Sequence, residues 1–508
     1  MFKGHPKGLI AAALANMGER FGFYTMMAIL SLFLMSKFGL DETGAGWIYS
    51  TFYFSIYAMA FIGGIIADKT RNFKGTILVG LIFMSVGYLI LSVPTTVTLD
   101  NKIGLIVLVC VALFTISFGN GLFKGNLQAL VGQMYDNKEY SSNRDAGFSL
   151  FYMFINIGAF FAPFIAPGIR NWWLAQHNFT YEPNLPALCH EFIGSGASMS
   201  AQAMTKFQEL ATTVSNGVAP ADLSVFANSY LDVFNTGFHY SFAIAILAMM
   251  ISLTVFIINK KKFPDPGSKE KSAADAKIQE MSAQETKQRI FALLAVFAVV
   301  IFFWFSFHQN GLTLTFFAKD YTLLQIGSFH LNVEMFQAAN PLFIVFLTPV
   351  VLAFFGWLRS KGKEPSTPKK IAIGMAIAAT AYVVMVLGSL GVPPKAEVLA
   401  MGGLADAQKV TPFLLIGTYL ILTVAELFIS PLGISFVSKV APPKYQGIMQ
   451  GLWLLATGLG NQLLIIGAVL YKSIPIWATW AVFVGACLIS MIVMLSMLKW
   501  LEKVSATN

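Results

Sequence analysis

Charge is scarce in this chain. Only 12% of its 508 residues are Asp, Glu, Lys or Arg, about half the roughly 25% of an ordinary soluble domain. Cysteine is scarcer still, with three residues. Cys110 and Cys487 lie in apolar runs and Cys189 stands alone. That pattern offers no disulfide framework and no metal-ligand spacing. Also missing are a nucleophile spaced with a base, an HExxH pair and a phosphate-cradling glycine loop. The chain therefore does not read as an enzyme, and no cofactor is expected. Apolar residues fill the space: 56% are hydrophobic, including 46 Phe. A soluble fold of this length could not bury so much apolar surface. The expected solvent is a lipid bilayer.

A spanning helix takes about 20 apolar residues. Apolar runs predict twelve spans, at roughly 8–36, 45–67, 75–97, 103–134, 146–169, 237–259, 288–317, 335–358, 371–391, 411–438, 446–471 and 477–498. The first run follows basic residues, as a signal peptide would, but it continues to about Leu34 and reads as a span. Net charge is +9. In a soluble protein that could mean nucleic acid; here its distribution matters more. With twelve spans, 24 of the 34 Lys and Arg fall on the side of the termini and 8 on the other. Arg170 is one of the 8. Arg20 and Lys124 lie inside spans. The asymmetry places both termini in the cytoplasm.

Two segments interrupt the pattern. Residues 261–287 are charged and read as a cytoplasmic linker between an N-terminal bundle, 1–260, and a C-terminal bundle, 288–508. Residues 170–236 read as an external insert with helix-like stretches near 199–214 and 220–233. The expected fold class is an all-α integral membrane protein of two six-helix bundles around a central cavity, the plan of secondary transporters.

Charges inside spans are costly and usually face a cavity. The candidates are Glu19 and Arg20 in span 1, Lys124 in span 4 and Glu426 in span 10, with His308 in span 7 also titratable. Each alone could merely pin helix packing. Together they fall on equivalent helices of the two halves, 1 with 7 and 4 with 10. Asn16, Arg20, Phe23 and Met27 share one helical face, as do Trp304, His308 and Gly311 in span 7 and Lys124 with Gln128 in span 4. Tyr57, Trp304 and Trp453 accompany the charges as possible cavity walls. Asn156 and Asn340 sit mid-span, where an amide wants a partner. Pro163, Pro349 and Pro431 interrupt spans, and Pro341 follows Asn340.

The segment NMGERFGFYTM resembles the ExxERFxYY motif of the proton-dependent oligopeptide transporters, a branch of the major facilitator superfamily. GNGLFKGNLQALVGQMY, RDAGFSLFYMFINIGAF, FQAANPLFIVFLTP and AELFISPLGISFVSKVAPPKYQGIMQGLWLLATGLGNQL are similar to that family's spans 4, 5, 8, and 10 to 11. The extra helix pair that many bacterial members carry between spans 6 and 7 is not evident in 261–287. The resemblance implies import of di- and tripeptides with protons by alternating access; the compact loops point to a bacterial inner membrane. The proton is then the coupling ion and the short peptide the partner; no nucleic acid is expected, and a monomer is. It implies that Lys124 and Arg20 attract the peptide carboxylate. Glu426, with Asn156 and Asn340, holds the ammonium, and Ser430 lies one turn on. Tyr24, Tyr57, Trp304 and Trp453 line side-chain pockets. Lys124 and Glu426 also form a gate pair.

Three positions depart from the family pattern. Asn16 replaces the first acid of ExxER, Met27 an Arg of span 1, and His308 the acid of span 7. In the family that Arg and that acid pair as an external gate, so both partners have changed together. The proton-coupling candidates become Glu19, His308 and Glu426. A neutral, hydrogen-bonded His308 that only packs is the bland alternative. The competing functions are a carrier of another small zwitterion or anion, a non-transporting peptide sensor, and a proton-pumping subunit of a redox complex. If His308 carries the proton, His308→Gln abolishes acid-stimulated peptide uptake while binding survives. An unchanged pH profile in that variant removes His308 from the mechanism.

Overall fold

The structure, a computed structural model, describes residues 4–70, 72–135, 139–140, 144–195, 199–264, 281–442 and 445–505. Among them, twelve helical segments are long and apolar enough to cross a membrane. Span 1 is Leu9–Phe38, span 2 Glu42–Ala67, span 3 Phe73–Ser92, span 4 Lys102–Met134, span 5 Leu150–Gln176 and span 6 Leu223–Lys262. Span 7 is Ala283–Tyr321, span 8 Val333–Ser360, span 9 Thr367–Gly388, span 10 Pro412–Val437, span 11 Ile448–Ser473 and span 12 Ile476–Ser496. A helix satisfies every backbone group internally, which is why apolar runs in lipid take this form.

Packing repeats with a shift of six. Spans 1 and 5, 2 and 4, 3 and 4, and 3 and 6 pack together; so do 7 and 11, 8 and 10, 9 and 10, and 9 and 12. The halves meet where span 2 lies on span 11 and span 5 on span 8. These two contacts exchange under the same shift, so the halves are related by a pseudo-twofold axis. The middle of the expected linker, 265–280, lies outside the described residues, and so does most of the question of an extra helix pair there. Of the charges in the asymmetry count, Lys3, Arg71, Lys138, Lys269, Lys271, Lys277 and Lys444 also lie outside them.

The expected insert is shorter than its sequence suggests. The helix of span 5 runs on to Gln176, and the stretch near 220–233 is the first part of the 37-residue helix Leu223–Asn259. Asp222 caps that helix, accepting from the Ser224 and Val225 N–H groups. Between them stand two helices, Leu185–Ser195, absent from the sequence reading, and Ala201–Val214. Arg170 is thus a helical residue and not a loop charge. Its guanidinium is fully buried over the Tyr181 ring and bonds Glu334 of span 8.

Expected interruptions also differ. The helices of spans 5, 8 and 10 continue through Pro163, Pro349 and Pro431. Pro341 stands in the first turn of helix Ala339–Ser360, where a missing N–H costs nothing. Apart from a one-residue interruption at Leu463 of span 11, the break lies elsewhere, in span 7. Its helix stops at Phe307, passes through a 3-10 turn at His308–Gly311 and resumes at Thr313–Tyr321. Gly311 permits this bend to meet span 2, since a Cβ there would lie 1.9 Å from the Tyr49 hydroxyl.

Three ion pairs between described residues join the halves, and all lie towards the face opposite the termini. They are Arg170–Glu334, Lys395–Glu42 and Lys472–Asp41. Lys395 also reaches Asp320 at 2.5 Å, and Tyr471 donates to the same carboxylate. Burial alone would lower the Lys395 pKa; Asp320 and Glu42 outweigh it and hold the ammonium above the ordinary lysine value. This face of the molecule is closed. Removing one partner of a buried pair leaves the other charge unpaired, at a cost on the order of 3–5 kcal/mol. Glu334→Ala should therefore lower the thermal midpoint of the purified protein by several degrees. Arg170→Met with Glu334→Leu should restore most of the loss. An unchanged midpoint in Glu334→Ala would show that the pair does not hold the halves.

Candidate substrate site

The broken span 7 and six neighbours surround a central cavity of about 240 Å³. Spans 1, 2, 4, 5, 7, 8 and 10 each contribute to its wall. Of the residues expected from sequence, Arg20, Tyr24, Tyr57, Lys124, Asn156, Trp304, His308, Asn340, Glu426 and Ser430 line it. Glu19 and Trp453 stand behind the wall. Glu19 is fully buried beside Arg20. The Trp453 ring lies edge-on to Phe297, over the bare backbone of Gly433.

The charges divide into a satisfied pair and two single ones. The Arg20 guanidinium grips Glu19 with two bonds, Nε to Oε2 at 2.5 Å and Nη2 to Oε1 at 2.6 Å. Asn120 of span 4 donates to the same Oε1 at 2.7 Å. Arg20 also sits 4.7 Å from the Phe23 ring centre. The charge of Arg20 is thus balanced within span 1. Lys124 has no such counter-ion. Its ammonium rests 4.9 Å from the centre of the Tyr57 ring and forms no ion pair or hydrogen bond among the described residues. Glu426 on the opposite half accepts one bond from Asn340, at 2.9 Å on Oε2. Thr423 helps orient that amide. No ion pair joins Lys124 to Glu426 in this conformation. One wall of the cavity is therefore positive and the other negative, with space between them.

His308 is held firmly. Its Nδ1 lies 2.5 Å from Asn461 Oδ1 of span 11. Trp304 stacks on one side and Tyr53 leans on the other, both with ring centres at 4.8 Å. The Trp304 indole N–H is buried and finds no acceptor among the described residues. Asn156 donates to the Tyr152 carbonyl of its own helix, at 3.1 Å. Met27 lines the cavity, while Asn16 is buried and does not.

Several wall residues escaped the sequence reading. Tyr49 and Tyr53 precede Tyr57 at four-residue steps on one face of span 2. That spacing was a usable signal. Gln337 also lines the cavity, and its amide reaches the Ala28 carbonyl of span 1 and the Thr315 hydroxyl of span 7. Asn120 and Asn461 act behind the wall, and only their mid-span position marked them.

Comparison with known proteins places this architecture. The sequence profile of the POT family matches residues 74–283 and 270–479. The chain is 28% identical over 487 residues to the uncharacterized transporter YclF of Bacillus subtilis, covering 93% of this chain and 90% of that one. It is 28% identical to the peptide transporter YePEPT of Yersinia enterocolitica, covering 91% and 87%. It is 26% identical to the dipeptide and tripeptide permease B of Xenorhabdus bovienii, covering 98% and 96%. Among solved structures, peptide transporter POT in complex with sulfate superposes with a TM-score of 0.74 at 23% identity, covering 99% and 96%. A POT family transporter in complex with 5-aminolevulinic acid superposes with a TM-score of 0.71 at 22% identity, covering 100% and 98%. The fold is that of the major facilitator transporters, and the chain belongs to the POT family.

Proposed function

We propose that this protein imports di- and tripeptides across a bacterial inner membrane, driven by protons, by alternating access. The observation that carries the reading is the split cavity. Lys124 and Glu426, which have no counter-charge among the described residues, line one cavity from the two halves. A short peptide is a zwitterion and completes both charges at once. Its carboxylate goes to Lys124, with Arg20 adding little because Glu19 already holds it. Its ammonium goes to Glu426 beside Asn340. Opposite charges interact far more strongly in such a cavity than in water. The names of the relatives support the same substrate class.

In this reading the face opposite the termini is the external one, and the conformation is closed to the outside. A proton or a substrate ammonium can complete Glu426, which makes it the leading coupling site. Glu19 is already satisfied by Arg20 and Asn120, and His308 by Asn461. Without substrate, Lys124 and Glu426 meet in another conformation as the gate pair. A second reading, carriage of another small zwitterion, gains from the solved relative whose ligand is 5-aminolevulinic acid.

Uptake of labelled dialanine into proteoliposomes tests the proposal. An inward proton gradient should drive accumulation. Lys124→Gln and Glu426→Gln should each reduce uptake by about tenfold or more, the scale of one lost charge-assisted bond. Equilibration without accumulation would leave a facilitator. No flux of dialanine in folded protein would overturn the peptide reading.

A further inference from the structure

A second cavity, of about 560 Å³, lies in the C-terminal half, where spans 8 and 10 end and span 9 begins. This is the face that carries the termini, and no part of the transport reading uses the cavity. Arg359 and Glu364 reach it from the end of span 8 and the connection that follows. Thr367 and Lys370 reach it from the first turn of span 9, and Ser435 and Lys439 from the end of span 10. Just before Arg359, Phe354 and Trp357 of span 8 stand exposed, at the depth where a bilayer turns from chains to headgroups.

The charges here do not balance. Residues 359–370 hold five cations, Arg359, Lys361, Lys363, Lys369 and Lys370, and one acid, Glu364. That acid is shared. Arg359 bonds it through Nε at 2.6 Å and Nη2 at 2.9 Å, and Lys370 bonds it at 2.6 Å. Lys439 adds a sixth cation to the wall. Glu502, on the C-terminal helix Leu498–Ser505, accepts from the Ser366 hydroxyl at 2.5 Å. Counting it, six cations meet two acids. Water serves an exposed cation, but the Lys370 side chain is only 7% exposed. Its ammonium lies 4.2 Å from the centre of the Phe355 ring, and Glu364 is its one hydrogen-bond acceptor among the described residues. An ammonium has three donors to place. The hydroxyls of Thr367 and Ser435 line the same space, and neither has a hydrogen-bond partner among the described residues.

We propose that this cavity is a phosphate site, which holds the headgroup of an anionic phospholipid. The phosphate brings the negative charge that the cluster lacks. Its several oxygens can accept at once from Arg359, Lys370, Lys439 and the two hydroxyls, and a guanidinium matches phosphate as a fork. Basic pockets between span ends suit such headgroups. The lipid is favoured over a free anion because the exposed Phe354 and Trp357 offer its chains an apolar surface beside the cavity.

Dihexanoyl phosphatidylglycerol, short enough to dissolve, is the probe. Calorimetric titration of the purified protein in neutral detergent should show it binding. Dihexanoyl phosphatidylcholine, whose own ammonium meets the same cations, should bind at least about tenfold more weakly. Arg359→Gln combined with Lys439→Gln should weaken phosphatidylglycerol by a similar factor. Ser435→Glu breaks no ion pair and puts a carboxylate into the cavity. It should abolish binding, with a thermal midpoint near wild type as the control for folding, and it decides the matter should the double variant not fold. Inorganic phosphate should bind less tightly than the lipid; equal binding would overturn the lipid as the source of the phosphate. The whole proposal fails if phosphatidylglycerol does not bind at millimolar concentration. It also fails if phosphatidylcholine binds equally well, or if both variants keep wild-type affinity. None of these results depends on whether dialanine is carried, or on which face is cytoplasmic.

Discussion

A charge taken into the membrane must meet a counter-charge or line a cavity. Most of this molecule follows from how that demand is met. Arg20 meets it within its own helix, through Glu19 and the Asn120 amide. Arg170 meets it across the halves, through Glu334. Lys124, over the Tyr57 ring, and Glu426, bonded by Asn340, have no counter-charge among the described residues. They stand on opposite walls of one cavity, which is a stable arrangement only when something dipolar, or water, lies between them. The packing around them is arranged to permit that. Span 7 gives up its helix at His308–Gly311, and the glycine there lets span 2 approach.

The same demand explains the closed face. The Arg and acid that the resemblance implies as a gate on this side are Met27 and His308 here, and the two form no pair in this structure. The ion pairs that close this face are Arg170–Glu334 and Lys395 between Glu42 and Asp320. These pairs are buried, so each is costly to break singly and each helps fix one geometry. The insert adds neutral bonds across the halves, among them Ser200 to the Ala400 carbonyl. His308 is tied to span 11 through Asn461.

Much of this was legible in the sequence, and the limits have physical causes. Twelve apolar runs gave twelve spans because lipid allows little else. The four central charges marked the cavity because they are expensive there. The stripe of Arg20, Phe23 and Met27 was readable from helical spacing. The break in span 7 was not, because a 3-10 turn leaves no mark on hydropathy. Nor were the long ends of spans 5 and 6, where the helices continue after the apolar run has ended. Proline misled in the other direction, since the helices of spans 5, 8 and 10 run through it. Trp453 shares the aromatic character of the wall, yet its ring packs behind it on Gly433. Asn120 and Asn461 show the general difficulty: a mid-span amide announces that it has a partner but not which one.

The central claim is that the cavity recognises two opposite charges together. The direct measurement is displacement of labelled dialanine from the purified protein by unlabelled dialanine and by N-acetyl-dialanine amide, which keeps the body but neither charge. The account predicts that dialanine displaces the label and that the doubly capped form does not at concentrations about a hundredfold higher, the scale of two lost charge-assisted bonds. Equal displacement by the two would contradict it, because the unpaired Lys124 and Glu426 would then have no part in recognition.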